Sequence, residues 1–416
     1  MYQLVSGLGV AALLAIAYVF SENRKAVSWR LVAVGTGLQF LLAGLVLKTS
    51  PGRWVFAWFN DLIGAILGYG EAGTRFVFSE KLTDPGAFGD MVFAFKVLPT
   101  IIFFSAMMSV LYYLGVMQWV VAGLSRLMMR ALGTSGAETL SCAANIFVGQ
   151  TEAPLLIRPY VERMTRSELM TVMTGGFATV AGGVMAAYVA MLSDRFPSIA
   201  GHLMAASVMS APAALVMAKI LIPETEEPAT RGEIAIDVPV KDANVIEAAA
   251  AGASDGVSLA LNVAGMLVAF IGLVALADGG LHHLGLLLGY ENWNLSAVFS
   301  LVFYPFALLL GVPPAEAGTV ARLLGQKVVL NEFYAYSQLS LLLHGSTQVL
   351  SERSVTLVTY ALCGFSNYSS IGIQIAGIGG IAPGRRSDLA RLGLAAMLAG
   401  NLACLQTACV TGVLVR

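Results

Sequence analysis

Two carboxylates, Glu152 in GQTEAP (149–154) and Glu332 in LNEFYA (330–335), are each set in a segment that is otherwise apolar. An ionisable side chain inside an apolar span costs about 2.5–3.5 kcal/mol even on lenient insertion scales, so such a residue is a functional candidate by default. Two of them stand at matching places in the two halves of the chain. Asn145, Gly149, Gln150 and Thr151 surround the first, and Lys327 and Asn331 the second. These groups supply hydrogen-bond donors and acceptors but no nucleophile with its base. A carboxylate accepts from hydroxyls or ring N–H groups, and the Gln150 amide can both give and take at the edge of a heterocycle. A neutral ligand with several hydroxyls suits this set better than an anion, which would call for arginine.

The elements that must carry these residues are membrane helices. The chain has 416 residues, 57% hydrophobic and only 12% charged, with a formal net charge of −1. That is too little charge to coat a soluble surface, where roughly 25% is usual. Apolar runs near 3–20, 31–48, 91–116, 168–192, 198–222, 257–277, 355–380 and 392–415 predict about eight spans at about 20 residues each. Basic residues gather in a few connections: Arg24, Lys25 and Arg30, then Arg126 and Arg130, Arg163 and Arg166, and Arg385, Arg386 and Arg391. All fall inside if the N-terminus is outside. The first run has no basic residue ahead of it and no clear cleavage site, so it reads as a retained helix.

Stretches at 53–68, 119–133 and 296–312 read as helices lying at the membrane surface. The polar stretch 223–256 reads as a solvated connector between the halves. Each half then repeats one order of pieces. A surface stretch precedes a short segment broken by polar residues (136–161 and 316–339), and an interrupted apolar span follows, holding TGGFATVAGG (174–183) or LCGFSNYSSIG (362–372). Arms of about 10–12 residues are too short to cross about 30 Å of hydrocarbon. They predict two re-entrant helical hairpins, entering from opposite sides and lining a cavity. Inverted repeats of this kind are a hallmark of secondary transporters.

Gly175, Gly176, Gly182 and Gly183 around Thr179 would let a helix unwind and expose carbonyls, with close helix packing as the competing use of such residues. Exposed carbonyls with Asn145 and Thr179 suit sodium, a hard cation that prefers oxygen. In the second half Asn367, Ser369 and Ser370 take the same place beside Phe365, which offers a ring to a ligand face. Lys96 near a span start and Asp278 near a span end read as interfacial. Cys142, Cys363, Cys404 and Cys409 form no CxxC pair and read as small apolar residues. The four histidines are scattered with no HExxH, so metal catalysis has no support and no enzyme is expected.

The motifs 97–119, AANIFVGQTEAPLLIRPY (143–160), GGFATVAGGV (175–184), NEFYAYSQ (331–338) and ALCGFSNYSSIG (361–372) make the sequence resemble the concentrative nucleoside transporters, in particular their shorter bacterial members. The resemblance covers almost the whole chain. It implies an all-α polytopic protein of the cell inner membrane, with scaffold and transport domains, assembled as a homotrimer. Residues 1–116 are assigned to N-terminal scaffold helices, 117–222 to the first transport repeat, 223–256 to the connector, 257–295 to a scaffold helix and 296–416 to the second repeat. By resemblance, Gln150, Thr151, Glu152 and Val184 face the nucleobase. Glu332, Asn367 and Ser370 hold the ribose, with Phe365 alongside. Sodium is implied at Asn145, Thr179 and the carbonyls near Val148 and Val180, with threonine at 179 where a close bacterial pattern has serine. The expected activity is symport of a nucleoside such as uridine, cytidine or adenosine with sodium, without other cofactors and without a nucleic-acid partner. Proton coupling and transport of another small polar solute remain the alternatives.

Overall fold

With no water inside a bilayer to satisfy N–H and C=O groups, a chain this apolar closes its backbone hydrogen bonds within helices. The computed structural model describes residues 1–83, 93–231, 243–289, 294–345 and 349–415, and among them there is no strand. Helices α1 (Tyr2–Val19), α2 (Trp29–Lys48) and α3 (Ser50–Phe78) lead to α4 (Phe93–Tyr113) and α5 (Val116–Leu132). Hairpin 1 follows, made of α6 (Gly136–Ala144), an irregular tip and a short 3-10 return at Ala153–Ile157. Then come α7 (Arg166–Ala178), α8 (Gly182–Leu192) and α9 (Ile199–Leu221).

The second half opens with α10 (Val245–Leu288) and α11 (Leu295–Leu309). Hairpin 2 consists of α12 (Pro314–Val329) and α13 (Glu332–His344), with α11 and α12 bent by 118° at their junction. Helices α14 (Glu352–Leu362), α15 (Tyr368–Ile381) and α16 (Arg386–Leu414) complete the chain. The order of surface helix, hairpin, broken span and unbroken span is thus the same twice. Seven stretches among the described residues are long and apolar enough to cross a membrane. They are seven of the expected spans. The eighth, at 355–380, is divided at 363–367 between α14 and α15.

Several expectations change in detail. The surface stretch at 53–68 is part of one uninterrupted 29-residue helix, α3, with no buried residue. The return arm of hairpin 1 is not a regular helix, because Pro154 and Pro159 remove backbone donors there. The connector is only partly a connector. Its first residues dock on hairpin 1, and from Val245 the chain is already the 44-residue α10, while 232–242 lie outside the described residues. Gly175 and Gly176 remain helical: a Cβ on either would stand 2.8 Å from Cys142 Sγ or Gln150 Cβ, so they serve close packing. The helix parts just after them, at 179–181. Within residues 1–116, α1 and α2 lie on α16 and α9, α4 pairs with α10, and α3 packs against both α2 and α4.

Lys96 meets Asp194 at 3.7 Å, and Asp278 accepts from the Leu295 N–H at 2.7 Å, at the start of α11. All four cysteines are free and buried.

The base of hairpin 1 holds a dense polar knot. Helices α6 and α7 each start with a capping box, Ser135 with Glu138 and Thr165 with Glu168. Such a box satisfies the first backbone donors of a helix with its own side chains. The boxes are joined, because the Ser135 hydroxyl donates to Glu168. Buried Lys219 of α9 reaches Glu138 at 2.8 Å, Glu224 at 3.1 Å and Ser167 Oγ at 3.0 Å. Thr230 closes the knot, its carbonyl and hydroxyl accepting from Gly136 N and Ala137 N at 2.9 and 3.1 Å. Removing one partner of a buried pair leaves an uncompensated charge and costs about 3–5 kcal/mol. Lys219→Met is therefore expected to lower the unfolding temperature in detergent sharply, and adding Glu138→Gln to restore part of the loss. A single variant as stable as the parent would contradict this role.

Candidate functional site

The site is built where two broken spans cross. The chain leaves the helix at 179–181 and again at 363–367, and the two breaks share a hydrogen bond, from Phe365 N–H to the Thr179 carbonyl at 3.2 Å. Gly182 N–H donates to the Phe147 carbonyl at 3.0 Å, tying the first break to the tip of hairpin 1. The Cys404 thiol lies within 3.3 Å of the Cys363 carbonyl and 3.7 Å of the Ala178 carbonyl, so it serves both breaks and is more than a small apolar filler. On the other side Lys327 Nζ donates to the Ala361 carbonyl at 2.9 Å, and Tyr336 Oη to the Thr359 carbonyl at 2.7 Å. Both arms of hairpin 2 thereby hold the last carbonyls of α14. A lysine there also complements the negative end of that helix.

From this platform α15 presents a polar stripe at helical spacing, Asn367, Ser370 and Gln374. Asn367 caps α15, its Oδ1 accepting from Ser370 N–H at 2.9 Å and from Ser369 Oγ at 2.7 Å. Its Nδ2 donates to Glu332 Oε2 at 2.9 Å. Two helical turns along, Gln374 Nε2 donates to Gln150 Oε1 and to the Met173 carbonyl, each at 3.0 Å. The stripe therefore touches hairpin 2 through Glu332 and hairpin 1 through Gln150. Tyr188 of α8 adds a donor to Glu332 Oε1 at 3.3 Å and stacks on Tyr336 with centroids 4.2 Å apart. A carboxylate already held by an amide and a phenol is fixed in place and keeps lone pairs for a hydroxyl-bearing ligand.

Of the ribose candidates, Glu332, Asn367 and Ser370 are thus brought together and buried, and Phe365 lies half-buried next to them. The nucleobase candidates divide. Gln150 is engaged with Gln374, and Thr151 packs where a Cβ on Gly377 would stand 2.7 Å from Thr151 Cγ2. Val184 is buried in the apolar core. Glu152 turns back toward Gly149 and opens onto a cavity of about 400 Å³ between hairpin 1 and the α4/α10 pair. Its side chain is exposed to that cavity.

The ion candidates meet a chemical test. Asn145 Nδ2 is used by the Ser141 carbonyl at 3.0 Å, while its Oδ1 is buried without a partner. Thr179 Oγ1 donates to the Gly175 carbonyl at 2.9 Å, which leaves its lone pairs free. Among the described residues no backbone N–H outside the helices donates to the carbonyls of Val148 or Val180. Neutral oxygens without protons to accept are what a hard monovalent cation needs.

Sequence reasoning passed over Gln374 and Tyr188. Each had a signal, as a lone amide in IGIQIAGIG and a lone phenol in MAAYVAML, inside runs with no other polar side chain.

Family comparisons join this geometry to known proteins. A profile described as "Na+ dependent nucleoside transporter C-terminus" matches residues 202–412, its N-terminal counterpart matches 8–81, and one described as "Nucleoside recognition" matches 94–195. The chain belongs to the concentrative, Na+-dependent nucleoside transporter family. A relative in Haemophilus influenzae described as "Uncharacterized transporter" is 46% identical over 100% of this chain and 98% of its own. The rat sodium/nucleoside cotransporter 1 is also 46% identical over 99% of this chain, which spans 64% of that relative's length. Among solved structures, that of CNTnw in an inward-facing substrate-bound state is 44% identical, with a TM-score of 0.92 over 99% of this chain and 98% of that one. A variant of CNTnw in an intermediate state gives 0.93 at 43% identity, with both chains fully covered. Another variant in an outward-facing state gives 0.91. As a concentrative nucleoside transporter the chain is a multi-pass membrane protein and not an enzyme.

The crossing of the breaks depends on Gly364. A Cβ there would stand 2.6 Å from Cys404 Sγ and 2.7 Å from the Phe177 carbonyl oxygen, whereas Gly372 has nothing within 4 Å of its added Cβ. Gly364→Ala is expected to destabilise by about 1–3 kcal/mol through overpacking. Gly372→Ala, in the interior of α15, should be neutral or stabilising by up to about 1 kcal/mol. Thermal unfolding of the two variants side by side tests this, and an equal response would refute it.

Proposed function

We propose that this concentrative transporter imports nucleosides by symport with sodium, carrying both across the membrane by alternating access. The observation that carries the reading is the α15 stripe, a single polar face bonded to Glu332 of one hairpin and Gln150 of the other. A ligand seated between the hairpins meets a carboxylate and amides suited to hydroxyls and a heterocycle edge, with no arginine to favour an anion. In this reading Glu332, Asn367 and Ser370 receive the ribose beside Phe365, and Gln150, Thr151, Glu152 and Val184 the base.

Sodium binds in this scheme at Asn145 Oδ1, Thr179 Oγ1 and the carbonyls of Val148 and Val180. All four belong to the tip of hairpin 1 or the break at 179–181. Ion binding would order the same residues that position Gln150 and Glu152, so coupling is a shared local structure. The loaded body then moves against α3, α4 and α10 as an elevator. Location in an inner membrane with both termini outside, and assembly as a homotrimer, belong to the same proposal. The first is motivated by the basic connections and the second by the family resemblance.

Labelled uridine uptake into proteoliposomes is expected to rise severalfold with an inward sodium gradient and to respond little to a proton gradient alone. Uptake driven by protons and indifferent to sodium would overturn the ion assignment, and no uptake of any nucleoside would overturn the whole reading. The ribose assignment makes a separate forecast. Glu332→Gln should weaken binding of nucleosides by about tenfold, one charge-assisted hydrogen bond being worth about 1.5–3 kcal/mol, and that of free bases far less. Equal loss for both would contradict it.

A further inference from the structure

Glu152 is the only nucleobase candidate that lines the cavity of about 400 Å³ between hairpin 1 and the α4/α10 pair, and the cavity's other polar residues take no part in the site described above. Its size falls in the range of about 300–1,000 Å³ typical of small-molecule pockets. The wall is mainly apolar, and besides Glu152 its polar and charged side chains are Tyr112, Tyr113, Gln118, Arg158 and Asp255, with Ser105 and Ser109 along α4.

Two of them carry buried atoms without a partner, Tyr112 Oη and Gln118 Oε1. An unsatisfied buried polar atom costs about 1–3 kcal/mol, so each asks for water or a ligand. Gln118 is held in one orientation, because only its NH₂ can donate to the Tyr112 carbonyl, which it does at 2.6 Å. Its oxygen is therefore fixed as the free end. The contact is made by the turn at Gly115, whose φ of +77° favours glycine and brings the first turn of α5 back onto the last turn of α4.

Asp255 stands on the opposite helix of the same wall. It forms no ion pair among the described residues. Gly252 and Gly256 flank it, and a Cβ on them would stand 2.5 Å from Ser109 Oγ and 2.7 Å from Ile102 Cα. That close crossing makes α4 and α10 a firm backing for the carboxylate.

We propose that this cavity holds a nucleoside in a second pose, distinct from the one between the hairpins and reached through Glu152. Gln118 Oε1 accepts from an N–H or amino group of the base, and Tyr112 Oη donates to a ring nitrogen or carbonyl. Asp255 accepts from ribose hydroxyls, and the Phe147 ring and Leu259 cover the apolar faces. The pose rests on the nucleoside reading of the transporter and adds a position on its path. An occupant here touches hairpin 1 on one side and α4 and α10 on the other, so it would be the last or first ligand position to depend on both bodies.

The test uses 8-azidoadenosine with the full-length protein in proteoliposomes, irradiated with and without excess uridine, then digested and mapped by mass spectrometry. Uridine-protected label is expected within 105–118 as well as within 145–152 and 365–374. Tyr112→Phe combined with Gln118→Leu should reduce the label in 105–118 by about tenfold, as two ordinary hydrogen bonds imply, and spare the label in 365–374. Asp255→Asn, on the other helix, should lower the same peptide's label independently. Because Phe147 and Glu152 line the cavity too, the deciding peptides are 105–118 and 365–374: label in 365–374 with none in 105–118 would mean that the cavity holds only water and would overturn the proposal. Label in 105–118 that none of these changes reduces would overturn it equally. Uridine-protected label at neither place would instead refute the nucleoside reading, and this pose with it.

Discussion

A peptide group released from a helix inside a membrane has no water to turn to, and this architecture depends on how such groups are met. Two spans are broken within their length, at 179–181 and 363–367, which frees N–H and C=O groups that elsewhere would bond four residues along. They are answered by each other and by a few side chains. Phe365 N–H takes the Thr179 carbonyl, Gly182 N–H takes the Phe147 carbonyl, and Lys327, Tyr336 and Cys404 meet the carbonyls at the ends of α7 and α14. Among the described residues Asn145 Oδ1 is buried without a partner, and no backbone N–H outside the helices takes the carbonyls of Val148 or Val180.

The polar knot under hairpin 1 follows similar logic with charges in place of peptide groups. Two carboxylates, Glu138 and Glu224, share one lysine, Lys219, and a third, Glu168, joins them through the Ser135 hydroxyl. Because two of the carboxylates are also helix caps, the starts of α6 and α7 are fixed relative to each other. Hairpin 1 is then free to respond only at its tip, where Gln150 and Glu152 are. Rigidity at the base and adjustability at the tip suit a segment that must bind an ion and a ligand together.

Much of this was legible in the residues. Charged and amide side chains inside apolar runs marked both hairpins and both breaks, because their cost in hydrocarbon leaves few other uses for them. The order of pieces in each half was equally plain. Gln374 and Tyr188 escaped notice because a single polar residue in an apolar helix does not reveal what it faces; that depends on a partner over 140 positions away, as for Tyr188 and Glu332. The division of Glu152 from Gln150 was also invisible, since neighbouring residues at an irregular tip point in unrelated directions. The start of α10 was hidden by composition: Ala248, Ala249, Ala250 and Ala251 form helix readily, but the charges before them read as solvated chain. Packing of α1 and α2 on α16 and α9 is a long-range matter that no local pattern encodes.

Helix α15 has one further consequence, concerning length. Asn367, Ser370 and Gln374 share a face only because three and four residues separate them, close to one turn each at 3.6 residues per turn. One residue inserted or deleted between Asn367 and Gln374 would rotate Gln374 by about 100° relative to Asn367 and uncouple the two hairpins, although every side chain named would still be present. The exposed residues of this helix, such as Tyr368 and Ile373, take no part in that spacing, whereas the number of residues between Asn367 and Gln374 does. The distance between the hairpins is recorded there as a number of residues.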